Sequence, residues 1–169
     1  MSFAYCAPNS VDETVELLGT LSSSGTRFQL LAGGTDVLVQ LRGIDDTPRT
    51  LVDIKGIAET KRLELGAERI YIGSAIPGAV LNDNTDLKKL LPGLVEAVDL
   101  IGSTQIQGRA SMGGNLCNAS PAGDSIPAII ANGGICHIAS ASGERELAAE
   151  DFVTGVGKNA LAPSEFLMG

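Results

Sequence analysis

Two glycine pairs, far apart in the chain and each set among polar residues, constrain this sequence most. Residues 110–127 read Ala-Ser-Met-Gly-Gly-Asn-Leu-Cys-Asn-Ala-Ser-Pro-Ala-Gly-Asp-Ser-Ile-Pro, which sets Gly113-Gly114 between the Ser111 hydroxyl and the Asn115 amide, with the Asp124 carboxylate further on. Earlier in the chain, Leu30-Leu31-Ala32-Gly33-Gly34-Thr35-Asp36 repeats the theme. Glycine lets a backbone bend through positive φ and bring its N–H groups close to a ligand. Successive N–H groups that point one way form a concave nest for an anion. Two such loops can hold one diphosphate from two sides. Neither loop contains Lys or Arg, so an anion bound there depends on main-chain donors.

Length allows one ordinary domain, or two small subdomains sharing a ligand cleft: the chain has 169 residues. With 44% hydrophobic and 19% charged residues it is globular rather than disordered. A formal charge of −8 argues against nucleic acid, which calls for a basic face. With no tryptophan and 4% aromatic residues, stacking platforms for single strands are not expected either. Cys6, Cys117 and Cys136 show no C-x-x-C spacing. That fits a reduced, cytoplasmic protein and leaves no Cys-only zinc or iron–sulfur site of the usual count. The start, Met1-Ser2-Phe3-Ala4-Tyr5, lacks the n- and h-regions of a signal peptide. No apolar run nears the roughly 20 residues of a spanning helix, so no membrane insertion is expected. The Asn118-Ala119-Ser120 sequon is then without meaning.

Along the chain, Phe3 to Ala7 reads as a strand closed by Pro8. Ser10 and Glu13 form a capping box before a helix with Val11, Val15 and Leu18 on one face, stopping at Gly25. Phe28 to Ala32 is a short strand, and Thr35 or Asp36 opens a second helix carrying Val37, Leu38 and Leu41 and ended by Gly43. Thr50 to Ile54 reads as a buried strand. The order strand, helix, strand, helix, strand predicts a small parallel sheet. From Lys61 the pattern changes. Residues 62–65 and 69–73 flank Gly66-Ala67-Glu68 as an antiparallel hairpin. Residues 81–91 read as partly helical at best. Pro92 starts a helix with Leu94, Val95, Val98 and Ile101 at helical spacing and Gly102 as the stop. Residues 124–131 suggest a short helix broken near Pro127. Residues 135–140 and 145–147 make a second hairpin, and 150–169 bring short elements with no obvious new core. A boundary between subdomains falls near residues 55–60.

The first glycine loop follows a strand and opens a helix, where free N–H groups favour an anion. The same residues also read as a tight strand-to-helix turn with Thr35 as N-cap. Asp124 can accept hydrogen bonds from a ribose or base, or can cap the helix that follows it. His137, the single histidine, lies in an apolar strand pattern and reads as a strand residue rather than a catalytic base. Gly155-Val156-Gly157-Lys158-Asn159-Ala160 matches the G-x-G-x-x-A fingerprint in letters, yet no apolar strand precedes it. No P-loop and no metal-ligand spacing is present. With no catalytic residue visible, the residues suit a chain that holds a cofactor whose own ring does the chemistry.

Four segments also resemble a known family: Leu31-Ala32-Gly33-Gly34-Thr35-Asp36, Ile101-Gly102-Ser103-Thr104-Gln105-Ile106, Met112 through Pro121, and Asp151-Phe152. They look like the FAD-binding domain of the molybdenum hydroxylases, the medium subunit of the xanthine dehydrogenase and carbon monoxide dehydrogenase family. The match runs in order from the first strand to Leu167. It implies an α+β fold in two parts: residues 1–57 as a small parallel βαβ subdomain, and residues 58–169 as a larger subdomain with a mainly antiparallel sheet and flanking helices. It also implies FAD in the cleft between them. Residues 32–36 (Ala32, Gly33, Gly34, Thr35, Asp36) and Ser111, Met112, Gly113, Gly114 and Asn115 would cradle the diphosphate, with Leu31 beside them in the cofactor-binding set. Asp124 would bind the adenosine half, and Ile101 and Leu167 would contact the flavin. The resemblance further implies a molybdopterin-binding large subunit and a [2Fe–2S] small subunit as partners, with electrons leaving through FAD to an external acceptor.

Three departures from the family pattern stand out. Ile106-Gln107-Gly108 occupies the place of the Ile-Arg-Asn of many relatives, so contacts of that arginine or asparagine do not carry over. Ser111-Met112 stands where many have Thr-Ile, which keeps the hydroxyl. The family's C-terminal domain would begin where this chain ends. The competing expectation is a non-catalytic nucleotide-binding or assembly module that keeps the diphosphate cradle.

Overall fold

A computed structural model describes residues 3–41 and 48–169. β1 (Phe3–Cys6), α1 (Val11–Ser23), β2 (Phe28–Leu31), α2 (Val37–Gln40) and β3 (Arg49–Asp53) come first. The three strands pair in parallel in the order β1-β3-β2, which leaves one edge of β2 open. At the start of α1, Ser10 Oγ accepts from the Glu13 amide at 3.1 Å, and the Glu13 carboxylate accepts from the Asn9 amide at 2.8 Å. This is the capping-box exchange, returned to one residue before the cap. Gly25, with φ of +67°, turns the chain away after α1. Gly43, the expected end of α2, lies outside the described residues.

A 3-10 turn (Glu59–Lys61) leads to the antiparallel hairpin β4 (Leu63–Leu65) and β5 (Ile70–Ile72). Six helices follow: α3 (Gly78–Asn82), α4 (Thr85–Leu90), α5 (Pro92–Asp99), α6 (Thr104–Gln107), α7 (Met112–Asn118) and α8 (Ser125–Ala131). The last elements are β6 (Ile135–Ser140), β7 (Gly143–Ala148), α9 (Ala149–Phe152), β8 (Val153–Gly155), β9 (Lys158–Asn159) and β10 (Phe166–Leu167). Here β6 is the centre of an antiparallel sheet ordered β10-β6-β7. The fold is α+β, a small parallel sheet followed by antiparallel sheets with flanking helices.

Three expectations change. Residues 78–90 are mostly helical, because Pro77 stands at the N-cap of α3 and Asn84 Oδ1 caps α4 by accepting from the Leu87 amide at 2.8 Å. Pro127 does not break α8. It is the third helical residue, where the N–H has no intrahelical acceptor to lose. The final stretch does build core: Phe152 and Phe166 are fully buried, the latter through pairing of β10 with β6.

One hydrophobic cluster joins Leu18, Val52, Ile54 and Ile57 to Ala75, Ala139, Phe166 and Met168. Residues on both sides of position 57 therefore share a core. The open edge of β2 and the segment 110–118 both line one cleft.

Candidate functional site

The cleft measures about 510 Å³ and is lined from one side by Phe28, Leu30 and residues 32–36, and from the other by Ser111, Gly113, Gly114 and Asn115. Its size suits a small-molecule site, for which about 300–1,000 Å³ is usual. Ile101 and Leu167, 8% and 3% exposed, add apolar surface. Of the fourteen residues singled out from the sequence, eleven line this cleft, and Leu31, Met112 and Asp124 do not. Leu31 sits beneath Gly34, where an added Cβ would lie 2.9 Å from its Cδ1. Met112 belongs to the core around Leu94 and Val98 and faces a second cavity of about 540 Å³. Asp124 is exposed at the N-cap of α8 and its side chain makes no capping bond.

The two glycine pairs meet, but they work differently. In the first, Gly34 has φ of +78°, the bend that glycine permits. Gly33 approaches the other segment so closely that a Cβ would fall on the Arg109 carbonyl oxygen and 2.6 Å from its carbon. Among the described residues, the amides of Gly33, Gly34, Thr35 and Asp36 donate to no protein acceptor. The second pair is no loop. Gly113 and Gly114 lie in the first turn of α7, capped by Ser111, whose Oγ accepts from the Gly114 amide at 3.1 Å. Their value is closeness: a Cβ on Gly113 would stand 2.5 Å from Ser74 Cβ, while one on Gly114 would face Ala32 Cβ across 4.0 Å. Ser111 retains its own O–H to donate.

Several residues that sequence reasoning passed over hold this geometry. Asp36 Oδ2 accepts from Asn118 Nδ2 at 3.2 Å, and Asn118 Oδ1 accepts from Gln40 Nε2 at 2.9 Å, which ties α2 to the end of α7. Fully buried Ser125 donates to Asn115 Oδ1 at 2.8 Å and leaves Asn115 Nδ2 as the free donor. Gly157 and Asn159, from the rejected fingerprint, form part of the cleft wall. The Gly157 amide donates to Ala119 O at 2.9 Å and Asn159 Nδ2 to Cys117 O at 2.8 Å. Ser74 donates to Leu167 O at 2.7 Å and so fixes Leu167 against the cleft. Gln107 is buried and donates to Asp99 O at 2.6 Å.

Ser125 fixes the Asn115 carboxamide, so Ser125→Ala should weaken binding of the FAD that the resemblance implies about three- to tenfold, the worth of one hydrogen bond. A fluorescence titration with FAD reads this directly. An unchanged dissociation constant would leave the Asn115 amide without a part in binding.

Among the described residues, no Lys, Arg or His lines the cleft. The two acids of its described lining are both engaged: Asp36 by Asn118, and Glu165 by Arg145 at 2.7 Å and the Ala162 amide at 2.7 Å. The hydrogen bond from Arg145 outweighs burial and holds the Glu165 pKa below the usual carboxylate value. Cys117 lines the cleft as an inert thiol, since burial pushes its pKa up to about 12. His137 stands in β6, with Nε2 at 3.6 Å from Glu146 Oε1 on β7, and lies outside the cleft. The chemistry on offer is binding: open amides, a hydroxyl and a carboxamide around a gap, with apolar flanks.

An α+β domain with such a cleft suits the binding of a small anionic molecule, and comparison with known proteins identifies the family. Over residues 1–169 the chain matches the family described as the FAD binding domain in molybdopterin dehydrogenase, and it belongs to that family. It is 35% identical over 149 residues to the xanthine dehydrogenase FAD-binding subunit of Escherichia coli O157:H7, a stretch covering 88% of this chain and 51% of that subunit. To the carbon monoxide dehydrogenase medium chain of Hydrogenophaga pseudoflava it is 30% identical over 166 residues, covering 98% and 57% of the two chains. The solved structure of carbon monoxide dehydrogenase from Hydrogenophaga pseudoflava lacking the Mo-pyranopterin moiety superimposes with a TM-score of 0.90 at 30% identity, over 99% of this chain and 57% of that one. The chain thus spans about half the length of the curated relatives it matches. Its cofactor is FAD.

Proposed function

We propose that the chain holds FAD in this cleft as the flavin component of a molybdenum hydroxylase-type oxidoreductase. In this reading the amides of residues 32–36 and the Ser111–Asn115 turn bind the diphosphate. Ile101 and Leu167 give the flavin its apolar neighbours, and Asp124 takes the adenosine half outside the cleft. Leu31 and Met112 support the two turns from behind. Residues 1–57 supply one wall and residues 58–169 the other. FAD supplies the redox chemistry when bound. The chain's own residues bind it, orient it and keep water from its apolar flank. Electrons arrive from [2Fe–2S] clusters on a small partner subunit, fed by a molybdopterin-binding large subunit, and leave to an external acceptor. The relatives named as subunits or medium chains of xanthine and carbon monoxide dehydrogenases support this assignment. Three unpaired cysteines suit the reducing cytoplasm as its setting. Apart from its partners the chain is expected to be inactive, because the substrate site belongs to another polypeptide.

One observation carries the reading: glycine pairs far apart in sequence face each other across one cleft, and the backbone donors of the first have no acceptor among the described residues. Purified protein reconstituted with FAD, alone and with partner subunits, should be yellow and keep its flavin through desalting. FAD should bind more tightly than ADP, and a coupled donor should reduce it. Equal affinity for ADP and FAD with no reduction would favour the non-catalytic nucleotide module. No flavin retention even with partners would end the proposal.

A further inference from the structure

The peptide joining Ala32 to Gly33 is gripped from behind. Lys55, two residues past β3, donates from Nζ to Ala32 O at 2.9 Å and to Asp53 Oδ2 at 2.8 Å. Asp53 is 8% exposed and also accepts from the Tyr5 hydroxyl at 2.6 Å and the Lys55 amide at 2.9 Å. Burial opposes its ionisation, but the hydrogen bonds from Lys55 and Tyr5 outweigh that and keep its pKa below the usual carboxylate value. Asp53 therefore stays ionised against the Lys55 ammonium, a neutralising ion pair. Lys55 itself does not line the cleft.

No cis peptide bond occurs among the described residues. In a trans peptide the C=O and the N–H of one unit point in opposite directions. Fixing Ala32 O on Lys55 therefore turns the Gly33 N–H the other way. That N–H has no protein acceptor among the described residues, and Gly33 lines the cleft. We infer that Lys55 is a positioning residue for the cofactor cradle: its ammonium pins the Ala32 carbonyl and so aims the Gly33 amide at the anion-binding cleft. The inference rests on the reading of this cleft as the FAD site. It deepens that reading by giving a cation outside the cleft a role in a cradle whose described lining contains none.

The test compares wild type, Lys55→Met, Lys55→Arg and the double variant Asp53→Asn/Lys55→Met in the full chain, with FAD and inorganic pyrophosphate as probes. Lys55→Met should weaken FAD binding about tenfold, the effect of one charge-assisted hydrogen bond, and Lys55→Arg should recover part of it. A rival cause is charge, since removing Lys55 alone leaves Asp53 uncompensated near an anion. A charge effect would vanish in the double variant and shrink with added salt. Persistence of the deficit in both conditions supports positioning, and recovery of wild-type affinity in the double variant overturns it. A second readout needs no cofactor: in the apo protein the Gly33 amide resonance should shift in Lys55→Met and return in Lys55→Arg. An unmoved Gly33 resonance overturns the inference whether or not FAD binds. Failure of the wild type to bind FAD or pyrophosphate would instead sink the functional reading, while the Gly33 resonance still decides what Lys55 does.

Discussion

Gly33→Ala is expected to force the two walls of the cleft apart. The new methyl would fall on the Arg109 carbonyl oxygen, 2.6 Å from the Arg109 carbonyl carbon and 3.0 Å from Ala110 Cα. All three are backbone atoms, so no side-chain rotation relieves the clash. The backbone behind them is itself pinned. The Arg109 and Ala110 amides both donate to Ile106 O, at 2.9 and 2.7 Å, and Ala110 O accepts from the Gly78 amide at 2.7 Å. On the facing side, Lys55 holds Ala32 O at 2.9 Å. Overpacking a well-packed site costs about 1–3 kcal/mol, and two immobile backbones place this variant at about 3 kcal/mol or above. Urea denaturation should show a lower midpoint with an unchanged slope, and flavin should be lost on gel filtration. A variant with wild-type midpoint and retained flavin would mean that the two segments do not approach as closely as described.

How far this was legible in the sequence depended on the range of each signal. The first half was read well because its signals are local. Ser10 and Glu13, the Val11/Val15/Leu18 stripe and Gly25 mark α1 within a few turns, and alternation of strand and helix patterns implies a parallel sheet. The glycine pairs were visible as punctuation, yet their conformations were not. Gly34 uses positive φ, whereas Gly113 and Gly114 are helical and are needed because Ser74 and the cleft come so near. That requirement is tertiary, and a reading of residues 110–118 alone cannot contain it. The same holds for the Gln40–Asn118–Asp36 tie, whose hydrogen bonds span 78 and 82 residues. The burial of Phe152 and Phe166 was not legible because the elements that carry them, α9 and β10, are four and two residues long, too short to show a period. Pro127 misled in the opposite sense. A proline is a helix breaker only beyond the first turn, and where that turn begins was the uncertain quantity.

Gly114→Asp should leave the fold standing and remove FAD binding, the converse of Gly33→Ala. A Cβ on Gly114 meets only Ser111 Oγ at 3.1 Å and Ala32 Cβ at 4.0 Å. No backbone stands in its way. Gly114 has no positive φ, and an acidic residue in the first turn of a helix is favourable rather than strained. Ser111 Oγ must give by a few tenths of an ångström, so stability should fall by no more than the roughly 1 kcal/mol of a helix cap. The carboxylate, however, would stand in the gap between Ala32 and Ser111. Its oxygens would compete for the Ser111 hydroxyl and for the open amides of residues 33–36, the donors assigned to the diphosphate. It would also repel that diphosphate, with no Lys or Arg in the described lining to offset it. Two like charges about 4 Å apart repel by about 1 kcal/mol in water and about 4 kcal/mol at a protein surface. Allowing about 3 kcal/mol, the FAD dissociation constant should rise about 100-fold or more. Gly114→Ala, which adds the methyl without the charge, should fall between the variant and wild type. Flavin fluorescence titration gives the constants, and circular dichroism with a melting curve establishes that the fold is intact. A folded Gly114→Asp protein that binds FAD as wild type does would place the diphosphate away from α7, and the cradle built from two glycine pairs would have to be abandoned.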